Sequence, residues 1–126
     1  AIFEQNGGTF EDPSLQIDLT ISASDLQPEL LEELNHLAPY GQENPEPLLA
    51  IRKTQLAHPA KKVGSGEHFQ FSLHNGTRLI QGIAWKMASK IPPANTEIDL
   101  AFRLRWNEWN GRKNLQMVLE DWKLSA

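Results

Sequence analysis

Residues 96 to 124 constrain this chain more than any other stretch. TEIDLAFRLRW (96–106) puts Ile98, Leu100, Phe102 and Leu104 on one face and Asp99, Ala101, Arg103 and Arg105 on the other. That period of two is the mark of a half-buried strand. Asn110-Gly111 is a turn signal, and KNLQMVLEDWKL (113–124) returns from it. Two further runs form a second such pair. HFQFSLHN (68–75) alternates with Phe69, Phe71 and Leu73 inward, Asn75-Gly76 turns, and RLIQGIAW (78–85) follows, with Gly82 read as a bulge or bend.

LLAIRKTQLA (48–57) completes a set of five strands. KMASKIPP (86–93) is read as one or two helical turns stopped by its prolines. Five short strands with a helical insert between the third and fourth are the order expected of a five-stranded OB-fold barrel, spanning about 48–124. An SH3-like barrel is the nearest competitor and normally lacks that insert. The fold class is therefore mainly β.

Ahead of the barrel, LQIDLTIS (15–22) alternates as a strand. SDLQPELLEELNHLAP then reads as a helix, with Ser24 and Gln27 as a capping box and Pro28 in the first turn. Leu26, Leu30, Leu34 and Leu37 form its apolar stripe, with Leu31 beside it. PYGQENPEP (39–47) carries three prolines and reads as a stiff connector. A domain boundary is expected here, dividing a tail of a preceding module (1–47) from an OB domain (48–126). The chain opens at Ala1 in mid-pattern, which suggests a piece of a longer protein.

The formal net charge of −4 hides a division. Residues 1–51 hold ten acids and no Lys or Arg, whereas residues 52–126 hold all twelve Lys and Arg against six acids. An acidic front and a basic body point to nucleic acid as a partner of the basic part. No stretch is long and apolar enough to span a bilayer. The absence of cysteine excludes disulfides and thiolate chemistry, and fits a cytoplasmic protein.

Catalytic sets are missing from the sequence. His36, His58, His68 and His74 include no pair at helical spacing for a zinc hydrolase. His68 and His74 are separated by roughly 20 Å of extended chain. GSG (64–66) reads as a turn and not as a phosphate loop. The chain by itself is expected to catalyse nothing and to hold no cofactor.

Binding chemistry is better represented. Single-strand binders combine a positive groove with aromatic plates on which bases stack. The candidates are Arg103, Arg105, Asn107, Trp109, Arg112, Lys113 and Gln116 on the last two strands and their turn. Lys86, His68, Lys61 and Lys62 join them, the two lysines in the first long loop. OB folds bind on strands two and three and the loops one–two and four–five, where these residues largely fall. Trp85 reads as core, beside Leu79 and Ile83; Trp106 as core or rim; Trp122 as packed on the barrel. Trp109 lies in the turn, as a stacking plate or a structural lid.

Three segments also resemble one family. Leu34, Leu37, Pro39, Tyr40, Gly41, Asn44, Pro45, Glu46 and Pro47 follow the pattern of a segment of the bacterial single-strand-specific exonuclease RecJ. GIAW (82–85) is similar to a second segment. Leu104, Asn107, Glu108, Trp109, Gly111, Leu115 and Gln116 match a third, a hairpin. The resemblance implies the end of the second core module plus the C-terminal OB domain of a DHH-family nuclease. Such enzymes degrade single-stranded DNA from its 5′ end in repair and recombination, using two Mn2+ or Mg2+ ions. The Asp-His-His motifs that hold those ions are absent from this sequence, so the resemblance puts catalysis upstream. It implies single-stranded DNA as partner, and single-strand-binding protein as another. If the helix stripe normally packs on the upstream core, it would be exposed here and favour a dimer or dock on the barrel. The alternatives are an OB module that positions the nuclease or binds an acidic tail, and an RNA binder.

Overall fold

A computed structural model describes residues 15–37 and 46–125; the side chains of Leu37 and Trp109 are outside the description. Seven strands form one sheet: β1 (Leu19–Ile21), β2 (Leu49–Thr54), β3 (Lys61–Val63), β4 (His68–His74), β5 (Leu79–Ala84), β6 (Ile98–Trp109) and β7 (Arg112–Leu124). Their order is β1-β2-β6-β7-β5-β4-β3. A 3-10 turn (Ala23–Asp25) and one helix, α1 (Pro28–Leu37), lie between β1 and β2.

Strands β2, β4, β5, β6 and β7 are the five expected. β5 runs parallel to β7, and the other pairs among them are antiparallel. The sheet is not closed into a barrel, but its ends approach: Ala57 N–H, just past β2, donates to the Ser72 carbonyl on β4 at 2.8 Å. This is the partly open Greek-key architecture of the OB fold. Two details differ from the sequence reading. Lys61–Val63 form an added edge strand on β4 where a loop was expected. Residues 86–93 contain turns, one closed by Lys90 N–H to the Met87 carbonyl at 2.9 Å, and no helix. Prolines at 92 and 93 leave too few residues to repay the cost of helix nucleation.

Helix α1 supplies the plug that the 86–93 segment does not. Leu26 and Leu31 are fully buried in the same cluster as Phe69, Leu73, Leu100 and Met117, with Leu30 and Leu34 packed against it. Leu26, Leu30, Leu31 and Leu34 of the stripe thus pack on the sheet, and the core includes residues on both sides of residue 47. Most of the connector, residues 39–45, lies outside the described residues. The cap also moves from its expected place: Ser22 N–H donates to Asp25 Oδ2 at 3.0 Å, while Gln27 Nε2 donates to the Ser24 carbonyl. Pro28 opens α1, where a missing N–H costs nothing. Asn75 fastens this segment to the β4–β5 turn. Its Nδ2 donates to the Leu26 carbonyl at 2.6 Å, and its Oδ1 accepts from Thr77 and Arg78 N–H.

Gly82 is not a bulge. It pairs in register with Phe71 and Met117. A Cβ there would stand 2.2 Å from the Phe71 ring. The missing side chain lets a phenyl group lie across β5. The core face of β5 thus carries two small residues, Gly82 and Ala84, beside Ile80, opposite the large Phe69, Phe71 and Leu73 of β4.

A true bulge occurs in β2. Ile51 pairs with Leu100 and Thr54 with Ile98, three residues against two. Lys53 takes a φ of 54°, and its N–H donates to Asp99 Oδ1 at 2.9 Å. Asp99 is buried, yet also accepts from Lys123 Nζ at 2.9 Å and Ser125 Oγ at 2.6 Å. Burial pushes its pKa up. The hydrogen bonds from Ser125, Lys123 and the Lys53 backbone, with the Lys123 charge, outweigh that and hold it below its ordinary value.

Candidate nucleic-acid interface

Directly paired residues in neighbouring strands share a face, so register alone maps the outer surface of the sheet. One row reads Lys61, Gln70, Ile83, Val118 and Arg103 across β3, β4, β5, β7 and β6. The next reads Ser72, Gln81, Gln116 and Arg105. Ile83, Val118 and Ser72 are buried, so the accessible part of the two rows is Lys61, Gln70, Gln81, Gln116, Arg103 and Arg105. At about 4.8 Å per strand, the first row carries a cation at each end of roughly 19 Å. Asn107 lies two residues beyond Arg105 and pairs with Asn114.

The β6–β7 turn ends this face. Asn110 and Gly111 have φ of 53° and 75°, the paired positive values of a two-residue hairpin turn. Trp109 pairs with Arg112, and Glu108 with Lys113. Arg112 and Lys113 are exposed, as are Asn107, Glu108 and Asn114. Lys113 Nζ sits 5.0 Å from the Trp106 ring centroid, a cation–π contact. Trp106 is half-buried against the core and lines a hollow with Arg78, Gln81, Asn107 and Lys113. Trp122 is buried, and its Nε1 donates to the Lys90 carbonyl.

The remaining candidates gather at the opposite end of the sheet. His68 opens β4, and its Nδ1 accepts from Lys86 N–H at 2.7 Å. Lys62 and Lys86 line a shallow hollow with Gly66, Glu67, Ala88 and Ser89. Trp85 belongs here, outside the core in which its strand pattern places it. It is 56% exposed, not core. The apolar residues of β5 occupy both parities, and the bulkier set, Leu79, Ile83 and Trp85, is the outward one. Gly82 is the signal that decides parity, because a glycine in a strand marks where another group must come close.

Arg103 and Arg105 carry partners that sequence reading missed. Glu46, from the end of the connector, receives Arg105 in a fork: Nε to Oε2 at 2.9 Å and Nη2 to Oε1 at 2.6 Å. Arg103 Nη1 donates to the Glu46 carbonyl, and its Nε to Glu120 at 3.2 Å. By register Lys61, His68, Gln116, Arg103, Arg105, Asn107 and Arg112 share the outer parity of the sheet, whereas Lys62, paired with Phe69, and Lys113, paired with Glu108 and held over Trp106, have the opposite parity. Among the described residues no three His, Asp or Glu side chains meet as a metal site. No described helix is long and apolar enough to cross a membrane.

Strand order and a polar, cation-bearing outer sheet face define an OB-fold domain. The family model of the RecJ OB domain matches residues 17–121, and the chain belongs to that family. It is similar to the single-stranded-DNA-specific exonuclease RecJ of Thermus thermophilus, 34% identical over 86% of this chain and 15% of that protein. The RecJ of Bacillus subtilis is 26% identical over 86% of this chain and 14% of its own length. The chain therefore spans about one-seventh of these curated relatives. A crystal structure of Thermus thermophilus RecJ in complex with Mn2+ superposes with a TM-score of 0.59 at 31% identity, covering 79% of this chain and 14% of that one. The same protein has been solved with Mg2+.

Proposed function

We propose that this domain grips single-stranded DNA for a RecJ-like 5′→3′ exonuclease whose Mn2+- or Mg2+-dependent catalytic core lies elsewhere in a longer protein. The observation that carries the reading is the outer sheet face. Lys61, Gln70 and Arg103 lie in one row across it and Gln81, Gln116 and Arg105 in the next, the paired Trp109 and Arg112 stand at its hairpin end, and Lys113 stands at the same hairpin on the opposite parity, over Trp106. Guanidinium and ammonium groups hold phosphates, amides meet base edges, and Trp109 stacks on a base. The strand is kept behind its 5′ end, so that successive nucleotides enter the core without loss of substrate. Duplex binds poorly, because paired bases offer no free ring face.

Titration with a dodecamer of thymidylate tests this. Contacts to four or five phosphates give a slope of log K on log salt near about −3, at about 0.7 per phosphate for single strands. Trp109→Ala is expected to lose on the order of 1–3 kcal/mol of binding with the fold intact. Absence of binding at low salt, or equal affinity for duplex, contradicts the reading.

A second reading is favoured by the Glu46–Arg105 fork itself: the face already holds a carboxylate. An acidic peptide, such as the tail of a single-strand-binding protein, would use the same chemistry. Competition between such a peptide and the thymidylate dodecamer separates the two.

A further inference from the structure

Trp85 stands at the far end of the same face and has no part in the reading above. Its indole is exposed, yet its ring meets one other ring and the backbone that follows it is pinned. The His68 ring meets it edge-on, with centroids 5.0 Å apart and planes at 76°. The chain turns sharply after it, Lys86 taking a φ of 58° and donating its N–H to His68 Nδ1. Ala88 N–H donates to the Glu67 carbonyl at 3.1 Å, tying the following segment to the start of β4. With Nδ1 as acceptor, the neutral imidazole carries its proton on Nε2, and its orientation is fixed. An exposed aromatic plate that the fold has immobilised loses little entropy when something stacks on it.

The surroundings select what stacks. Lys86 follows the indole, and Lys61 pairs with Gln70 and through it with Ile83, on the parity of Trp85; Lys86 also lines a hollow with Lys62 and Glu67. Trp85 continues the outward parity of Gln81 and Ile83, so it adjoins the row from Lys61 to Arg103. A ligand with flat rings and regularly spaced anionic links fits this juxtaposition. We propose that Trp85 is a second base-stacking plate for single-stranded nucleic acid, with Lys61 and Lys86 holding the flanking phosphates. The inference rests on the single-strand reading and extends it to a path. By register Trp85 lies level with Glu120 on β7, eight residues from Arg112, or about 26 Å along the strand. A strand bound at both plates crosses the whole sheet face, within the range of roughly 4–16 nucleotides that an OB fold covers.

Trp85→Leu and Trp85→Phe in this 126-residue chain, titrated with the thymidylate dodecamer, test the plate. The leucine variant is expected to bind about tenfold more weakly, while phenylalanine stays within about threefold of wild type. Thermal unfolding of each variant reports whether the fold is intact. Photo-crosslinking of a 5-iododeoxyuridine dodecamer to the wild-type chain, mapped by mass spectrometry, adds a readout that needs no substitution. A crosslink on Trp85 supports the plate. Wild-type affinity in the leucine variant, equal losses with leucine and phenylalanine, or crosslinks confined to the hairpin overturn it and leave the single-strand reading standing. Failure of the wild-type chain to bind any single strand overturns both.

Discussion

The Glu46 carboxylate and the Arg105 guanidinium form a two-point fork across 59 residues of sequence, with oxygen–nitrogen distances of 2.6 and 2.9 Å. This pairing resembles the way arginine takes a phosphate. It joins the end of the connector to the middle of the outer sheet face, and Arg103 reinforces it through the Glu46 carbonyl. A phosphate arriving at Arg105 therefore competes with a carboxylate already in place. Glu46→Gln is expected to raise affinity for the thymidylate dodecamer about two- to fivefold, the range of a partly exposed ion pair. The salt slope should steepen by about 0.7 as one more cation meets a phosphate. An unchanged slope would remove Arg105 from the contact set.

Leu31 tests whether α1 belongs to the barrel. It is buried beside Leu26 in the common core. Leu31→Ala is expected to lower unfolding stability by about 2–5 kcal/mol in a single cooperative transition. A stability change near zero would mean that the helix is a separable tail.

Gly82→Ala probes the parity of β5. The added methyl would meet Phe71 ring atoms at 2.2–2.6 Å. Overpacking of this kind costs about 1–3 kcal/mol, read by urea denaturation. Phe71→Leu in the same chain should recover part of the loss, because the ring is what the methyl strikes.

Asp99 sets an acid limb. Its folded pKa lies below its ordinary value, so its contribution is fully present above the unfolded value of about 3.9 and is lost as pH falls through the folded one. Asp99→Asn should cost about 1–3 kcal/mol at neutral pH, through weakened bonds to Lys123, Ser125 and the Lys53 backbone. It should also flatten the decline in stability below about pH 4. An unchanged acid limb would show that Asp99 does not govern it.

Sequence periodicity located β4, β6 and β7, because alternation survives wherever one face is dry and the other wet. It located β5 as well but turned its faces round, because the core face carries Gly82 and Ala84 opposite the large residues of β4. It missed β3, since Lys61–Val63 is too short and polar to carry a pattern. Residues 86–93 have the length and spacing of a short helix but form turns; the apolar stripe of α1 is legible, whereas the surface it packs on is not, because that depends on contacts between distant segments. Candidate cations were legible by position along the chain. Their division between the two faces of the sheet, and the Glu46 fork, depend on register and on a contact between distant segments. Trp109 remains a placement by turn chemistry: its backbone closes the hairpin as expected from Asn110-Gly111.

The central claim is that single-stranded DNA lies on the outer face of β3, β4, β5, β7 and β6. Amide chemical shifts followed by NMR during titration with the thymidylate dodecamer test it most directly. The expected perturbations run from Lys61 and Gln70 through Gln81, Gln116, Arg103 and Arg105 to residues 107–113, with Trp85 and Lys86 included. Perturbations confined to the acidic surface of α1 around Glu29, Glu32 and Glu33, or none at saturating ligand, would contradict the account.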